Sequence, residues 1–216
     1  MSRQLRGLDL FSGAGGATRG YQLAGFRMTG VDIRPQPRYV GEEFIMADAL
    51  EYVHEHGHEY DFIHASPPCQ AFTPARHIHG SRHPDLLSPT RELLLETGRP
   101  WVIENVPGAP MRPDLVLCGS HFGLRCRHGR LVRHRLFEFD TPRLLLVPPC
   151  DHSGPVVSVF GHGGHVYHGV GCWREVMQIP WMTREELSQA IPPAYTHFIG
   201  VRLRGEMEGL VYEEAE

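Results

Sequence analysis

The 216-residue chain has no lysine: its 21 basic residues are all arginine, and its one asparagine is Asn105. Without lysine there is no P-loop, whose lysine must reach the phosphates of a bound nucleotide. The arginine bias itself reports GC-rich coding rather than fold. No apolar run approaches the roughly 20 residues that cross a bilayer. The opening Met1–Gly7 lacks the apolar stretch of a signal peptide, so the expected location is the cytoplasm, with no membrane partner. Five cysteines (69, 118, 126, 150 and 172) are an odd number without framework spacing and read as reduced thiols. An excess of positive charge is also missing. The net charge of −4 argues against a globally basic nucleic-acid binder. Charge is uneven, however: six arginines crowd residues 121–143 against Glu138 and Asp140, and five glutamates close the chain from Glu206 to Glu216. A local basic patch and a solvated arginine surface fit that distribution equally well. With 41% hydrophobic and 21% charged residues the chain suits one full core rather than two large domains.

Short apolar runs alternate with amphipathic stretches, the pattern of an α/β protein with a mostly parallel sheet. Leu5–Phe11 reads as a buried strand, Ser12–Gly16 as a glycine turn and Ala17–Phe26 as a helix. Thr29–Ile33 and Phe44–Ala47 read as strands, 49–56 as a helix and Asp61–Ala65 as a fourth strand. Pro67 and Pro68 then force an extended loop, and 71–84, rich in His and Arg, reads as a mobile cover. Ser88 caps a helix that Gly98 stops, and Trp101–Ile103 delivers Glu104, Asn105 and Val106. Leu115–Cys118, Arg135–Phe139 and Val156–Phe160 are later strands. Thr183 to Glu186 form a capping box for a helix to Ala190, and Pro192-Pro193 open a last helix to about Arg202. The Gly- and His-rich segment Gly161–Cys172 reads as a flexible loop.

The turn Gly13-Ala14-Gly15-Gly16 sets backbone N–H groups and a helix N-terminus beside anything bound there. Asp32 ends the next strand about twenty residues later, where a carboxylate can accept from ribose hydroxyls. Together they suggest an adenosine-containing cofactor, without the full G-x-G-x-x-G of a dinucleotide enzyme. Asp9–Gly16 (DLFSGAGG), Val31-Asp32-Ile33, Ser66–Gln70 (SPPCQ), Glu104-Asn105-Val106 and Arg133-His134-Arg135 follow in an order and at spacings that resemble the DNA (cytosine-5) methyltransferase family. The resemblance spans roughly residues 5–140, with a weaker match at 190–196, and suggests a compact, phage-like member.

That resemblance implies a Rossmann-like S-adenosylmethionine-dependent methyltransferase fold with helices on both faces of the sheet. It also implies methyl transfer to carbon 5 of a flipped cytosine in double-stranded DNA. Carbon 5 is a poor nucleophile until another nucleophile adds at carbon 6, and a cysteine thiolate suits that task. The implied catalytic residues are Cys69, the nucleophile, Glu104, a buried protonated acid for ring nitrogen 3, and Arg133 and Arg135, for the base oxygen. The implied S-adenosyl-L-methionine site comprises Phe11, Ser12, Gly13, Gly15, Gly16, Asp32, Ile33, Asp48, Pro68, Tyr195 and Thr196. Phe11 lies against the adenine, Asp32 holds the ribose, Asp48 the adenine amino group, and Tyr195 and Thr196 close the pocket. An RNA or nucleotide substrate, or a non-catalytic DNA-binding protein of the same fold, remain the rival readings.

Three features depart from the family. Leu131 stands where its arginine motif begins with glutamine, the usual terminal Gly-Asn is missing, and only about fifty residues separate Glu138 from the terminal helices, where its members insert a target-recognition domain; Gly161–Cys172 is then the candidate for reading DNA. The division expected is a catalytic core over 1–140, an abbreviated recognition insert over 141–180, terminal helices over 181–204 and an acidic tail over 205–216. A short recognition sequence, or a specificity partner or cognate restriction enzyme, follows from so small an insert, on a monomeric protein. Cys118, Cys126, His128, Cys150, His152 and Cys172, with His162, His165 and His168, contain ligand types for zinc. Cys126-x-His128 and Cys150-x-His152 are not knuckle spacings, so reduced thiols and no metal are expected, with a structural zinc as the alternative.

Overall fold

The computed structural model describes residues 3–68, 85–141, 143, 145–160 and 168–209. Ten strands and six α-helices are found among them. β1 (Arg6–Leu10), β2 (Arg27–Asp32), β3 (Glu43–Met46), β4 (Phe62–Ala65), β5 (Trp101–Asn105), β6 (Leu115–Leu117) and β9 (Arg135–Phe139) form a seven-stranded sheet in the order β3-β2-β1-β4-β5-β9-β6. β1 to β5 run parallel, and β9 is antiparallel to both its neighbours. This is the α/β architecture that the alternation of short apolar runs predicts.

Period-2 side-chain alternation divides the core between the two faces of the sheet. Met28, Phe62, Val102 and Phe137 pack with Ala17 and Tyr21 of α1 (Gly16–Leu23) and with Ile199 and Leu203 of α6 (Pro193–Met207). Leu8, Leu10, Val31, Ile63, Ala65 and Ile103 face α2 (Ala49–His56) and α3 (Leu87–Glu96), which contribute Val53 and Leu94. Arg91 of α3 holds the buried Glu138 of β9 in a two-pronged ion pair, both contacts at 2.8 Å, and Glu138 also accepts from the Arg112 N–H.

Beyond the main sheet, β7 (Arg125–Cys126) and β8 (Gly129–Leu131) make a hairpin that β10 (Val156–Val157) joins in parallel. α4 (Val170–Met177) covers it, and Trp173, Val176 and Met177 join the same apolar cluster as Phe137. The small sheet and α4 therefore share their core with the large sheet. α5 (Arg184–Gln189) opens on the expected capping box, with Thr183 and Glu186 exchanging side-chain and backbone hydrogen bonds.

Some boundaries differ from expectation. α3 begins at Leu87, before Ser88, and it is Asp85 Oδ1 that accepts from the Leu87 N–H, at 2.9 Å. α6 runs on to Met207, because its apolar positions continue onto α1 and the Ala24 carbonyl accepts from Arg204 at 3.1 Å. Val170–Cys172 are helical rather than loop, since Cys172 and Trp173 bury against the hairpin. The 71–84 cover and 161–167 lie outside the described residues. Among those described, no helix is long and apolar enough to cross a membrane.

Candidate active site

The carboxyl ends of β1, β2, β4 and β5 meet along one edge of the sheet, where open α/β folds place their sites. After β1 the chain turns sharply: Phe11 takes a left-handed conformation (φ 59°), and the Ser12 N–H donates to the Val31 carbonyl at 3.1 Å. Asp32, at the end of β2, ties this turn down, its Oδ2 accepting from the Gly13 N–H and its Oδ1 from the Arg34 N–H, each at 3.0 Å. The glycines of the turn have different tasks. A Cβ at Gly16 would stand 2.6 Å from the Ile191 carbonyl, so that glycine admits the chain before α6. At Gly13, by contrast, no atom lies within 4 Å of where a Cβ would be, and the turn opens outward there. Gly15 (φ 85°) begins α1 without a side-chain cap.

Beside Asp32 the surface is apolar and open. Ile33 is 69% exposed and Met46, the register partner of Asp32 on β3, 64%. Asp48 caps α2, its Oδ1 accepting from the Leu50 and Glu51 N–H groups at 2.8 and 3.2 Å. Tyr195 and Thr196 sit deeper. The Tyr195 hydroxyl donates to the Arg133 carbonyl at 2.6 Å, and the Thr196 hydroxyl to the Ala17 carbonyl at 2.8 Å. Both are fully buried, with their hydroxyls fastening α6 to α1 and to the β9 approach.

Glu104, near the end of β5, is 6% exposed, with Oε1 2.7 Å from Arg135 Nε in an ionic contact not aligned as a hydrogen bond. Burial raises its pKa, and this outweighs the opposing pull of the Arg135 and Arg133 charges and of the Ser66 hydroxyl. A carboxyl so placed is held toward its protonated form. Arg135 also donates to the His134 carbonyl at 2.9 Å. Arg133 points elsewhere: its guanidinium donates to the carbonyls of Val159, Ser188 (2.8 Å) and Ala190 (3.0 Å). Of the two arginines, then, Arg135 faces the acid, while Arg133 ties the segment after β10 and the end of α5 to the approach to β9.

Pro68 is half-buried at the end of the β4 loop, and Cys69, the next residue, lies outside the described residues. The root of that loop is nonetheless fixed. Asn105 Nδ2 donates to the Pro67 carbonyl at 3.1 Å, while Asn105 Oδ1 accepts from the Val106 N–H at 2.9 Å. The chain's one asparagine therefore joins the end of β5 to the loop that leads to Cys69.

Sequence reasoning assigned no role to Asn105 or to two buried polar groups under the site. Asp9 on β1 accepts from the Thr18 N–H (3.1 Å) and hydroxyl (2.5 Å), and burial pushes its pKa up to about 7. Its register partner on β4, His64, is bracketed by the Tyr21 hydroxyl at 3.0 Å and the Ser66 hydroxyl at 2.9 Å, and burial pushes it down to about 3. Polar residues inside otherwise apolar four- and five-residue strands were the available signal. The arginine-rich stretch is mostly neutralised: Arg133 and Arg135 are buried, Arg130 pairs with Asp151, and Arg143 with Asp140 and Glu206. Arg125 and Arg127 remain exposed.

No protein-family model matches the chain, and no curated protein matches it. Solved structures do. A methyltransferase of Entamoeba histolytica aligns over 98% of this chain and 100% of its own, at 13% identity and a TM-score of 0.56. A prophage-encoded E. coli protein described as a DNA modification methyltransferase aligns over 63% of this chain and 46% of its own (22% identity, TM-score 0.44). A SAM-dependent methyltransferase of Agrobacterium tumefaciens covers 66% and 57% (20% identity, TM-score 0.39). The chain thus spans about half the length of the latter two. The fold is the Rossmann-like fold of methyltransferases, with a mostly parallel sheet between two helical layers.

Proposed function

We propose that this protein transfers a methyl group from S-adenosyl-L-methionine to carbon 5 of a cytosine in double-stranded DNA, with Cys69 as nucleophile. The observation that carries the reading is the buried acid Glu104, held toward its protonated form and paired with Arg135, on the strand whose Asn105 fixes the loop to Cys69. A protonated carboxyl and a guanidinium side by side can answer the charge that appears on a cytosine ring when a thiolate adds to carbon 6.

The residues present fit the cofactor. The turn opens at Gly13, Asp32 stands beside it, and Ile33 and Met46 offer exposed apolar surface for an adenine. Ser12, Gly13, Gly15 and Gly16 would hold the methionine end, Asp32 the ribose, and Phe11, Ile33, Asp48 and Pro68 the base. Tyr195 and Thr196 would act indirectly, by seating α6 behind the turn. When bound, the cofactor supplies an electrophilic methyl group without a metal.

The chain's own groups would do the rest. Cys69, as thiolate, adds to carbon 6 and moves electron density onto carbon 5. Glu104 donates its proton toward ring nitrogen 3, and Arg135 holds Glu104 in place and offers its remaining donors to the base oxygen. After methylation, a solvent water takes the carbon 5 proton, the electrons of that bond re-form the ring double bond and expel Cys69 as thiolate, and nitrogen 3 returns its proton to Glu104. The target base must flip out of the duplex, at a cost of a few kcal/mol.

In this reading residues 1–140 form the catalytic core, 141–180 an abbreviated recognition insert, and 181–204 helices that complete the core. A short recognition sequence, or a specificity partner, goes with that insert. The test is nucleoside mass spectrometry of unmodified duplex DNA incubated with S-adenosylmethionine and the native protein or Cys69→Ala. We expect 5-methylcytosine with the native protein and none with the variant. Product on RNA or free cytidine nucleotides alone would overturn the DNA assignment, and product with Cys69→Ala would overturn the nucleophile.

A further inference from the structure

Four cysteines fall within the described residues, and none is in a disulfide. Two of them meet two histidines at one point. Cys118 follows β6, His134 precedes β9, and Cys150 and His152 lie on the irregular segment before β10. One ligand atom from each of the four lies within 4.8 Å of all the others. Cys118 Sγ is 3.6 Å from His152 Nε2, and Cys150 Sγ is 3.5 Å from His134 Nε2. A tetrahedral zinc with bonds of about 2.3 Å to sulfur and 2.0–2.1 Å to nitrogen separates such atoms by roughly 3.6 Å. The two sulfur–nitrogen edges therefore already have the length that a bound zinc sets.

We infer that Cys118, His134, Cys150 and His152 form a structural zinc site that clamps the segment before β10 onto the ends of β6 and β9.

Two further observations support the site. His121 Nδ1 faces the Cys118 N–H at 3.3 Å and accepts from it, which leaves Nε2–H directed at Cys150 Sγ, 3.1 Å away. A donor aimed at a ligating sulfur is the outer support that metal thiolates require. Residues 145–155 contain no helix or strand; Leu145 and Val147 pack against the core and Arg130 pairs with Asp151, yet Cys150 and His152 are themselves exposed and turn towards Cys118 and His134 rather than into solvent. Cys126 and Cys172 behave differently. His128 and His168 beside them stack ring on ring at 4.2 Å, and His128 Nε2 accepts from Arg127 Nε at 2.9 Å. Among the described residues only the first group brings four ligand atoms together.

The clamp bears on the site described above, because His134 is followed by Arg135, which pairs with Glu104 and donates to the His134 carbonyl. Metal binding would fix that register whether or not the methyl-transfer reading holds, and its test needs no turnover. Elemental analysis of untagged protein purified without added metal should find about one zinc per chain. Replacing it with Co2+ should give the visible absorption of a tetrahedral cobalt–thiolate centre. Cys150→Ser and His152→Ala should lose the metal, Cys172→Ser should keep it, and His121→Ala should keep the stoichiometry but bind roughly 10–100-fold more weakly. Native protein that is soluble, folded and free of zinc, and that takes up no Co2+, would overturn the inference. So would equal loss of metal from Cys172→Ser. The wild-type measurements stand even if a ligand variant fails to fold.

Discussion

Two polar residues side by side in the sheet, Asp9 on β1 and His64 on β4, oppose one another in their dependence on pH. Burial pushes His64 from 6.5 down to about 3, so the folded protein resists a proton that the unfolded chain accepts. Its contribution to stability is complete above about 6.5 and is lost as pH falls toward 3. Burial pushes Asp9 from 3.8 up to about 7, so the folded protein keeps a proton that the unfolded chain releases. That contribution is complete below about 3.8 and is lost as pH rises through 7. Between about pH 4 and 6.5 the two slopes have opposite signs, each approaching about 1.4 kcal/mol per pH unit. Urea denaturation across that window should show His64→Gln gaining stability on acidification relative to wild type, and Asp9→Asn losing it. Slopes of the same sign for both variants would refute this assignment.

Among the elements, the pairing of α1 with α6 depends most on a single atom. A Cβ at Gly20 would lie 2.0 Å from the Thr196 hydroxyl oxygen, 2.3 Å from the Pro193 carbonyl and 2.6 Å from the His197 nitrogen. Two of those obstacles are backbone, so the helices must part. Gly20→Ala should cost roughly 1–3 kcal/mol, a fall in Tm of roughly 2–12 °C at this chain length. Gly171→Ala in α4 is the matched control, since a Cβ there meets nothing within 4 Å, and it should leave Tm unchanged or raise it. Equal effects of the two changes, read by differential scanning calorimetry, would remove the packing argument. The capping box at Thr183 was legible in the sequence because it is a local device. β7 and β8 were not: two- and three-residue strands carry no period, and their pairing depends on Gly129, where a Cβ would meet the Pro155 carbonyl at 2.3 Å.

At the scale of the whole molecule, the small sheet and α4 do not stand apart. Trp173 of α4 packs in the same cluster as Phe137 of the main sheet, and Arg133 reaches the carbonyls of Ser188 and Ala190 from the start of β9. Trp101 of β5 belongs to the cluster on the opposite face. Fluorescence of variants that retain only Trp101 or only Trp173 should therefore report the same urea midpoint and m-value. Separated midpoints would show that the region around α4 unfolds on its own.

The sequence by itself determined the α/β class, the order of the main strands and helices, the glycine turn with Asp32, and Glu104 at a strand's end. Each of these rests on local pattern: period, turn chemistry, caps, and the rule that open α/β sheets work at their carboxyl edge. Only the tertiary structure decided which of two arginines faces Glu104, since Arg133 and Arg135 are two residues apart and differ only in what packs around them. It also decided that Asn105 reaches across 38 positions to Pro67, and that Cys118, His134, Cys150 and His152 share one point although their spacing matches no short motif. Contacts between residues distant in the chain depend on where the sheet brings the ends of separate elements together, and no local period records that.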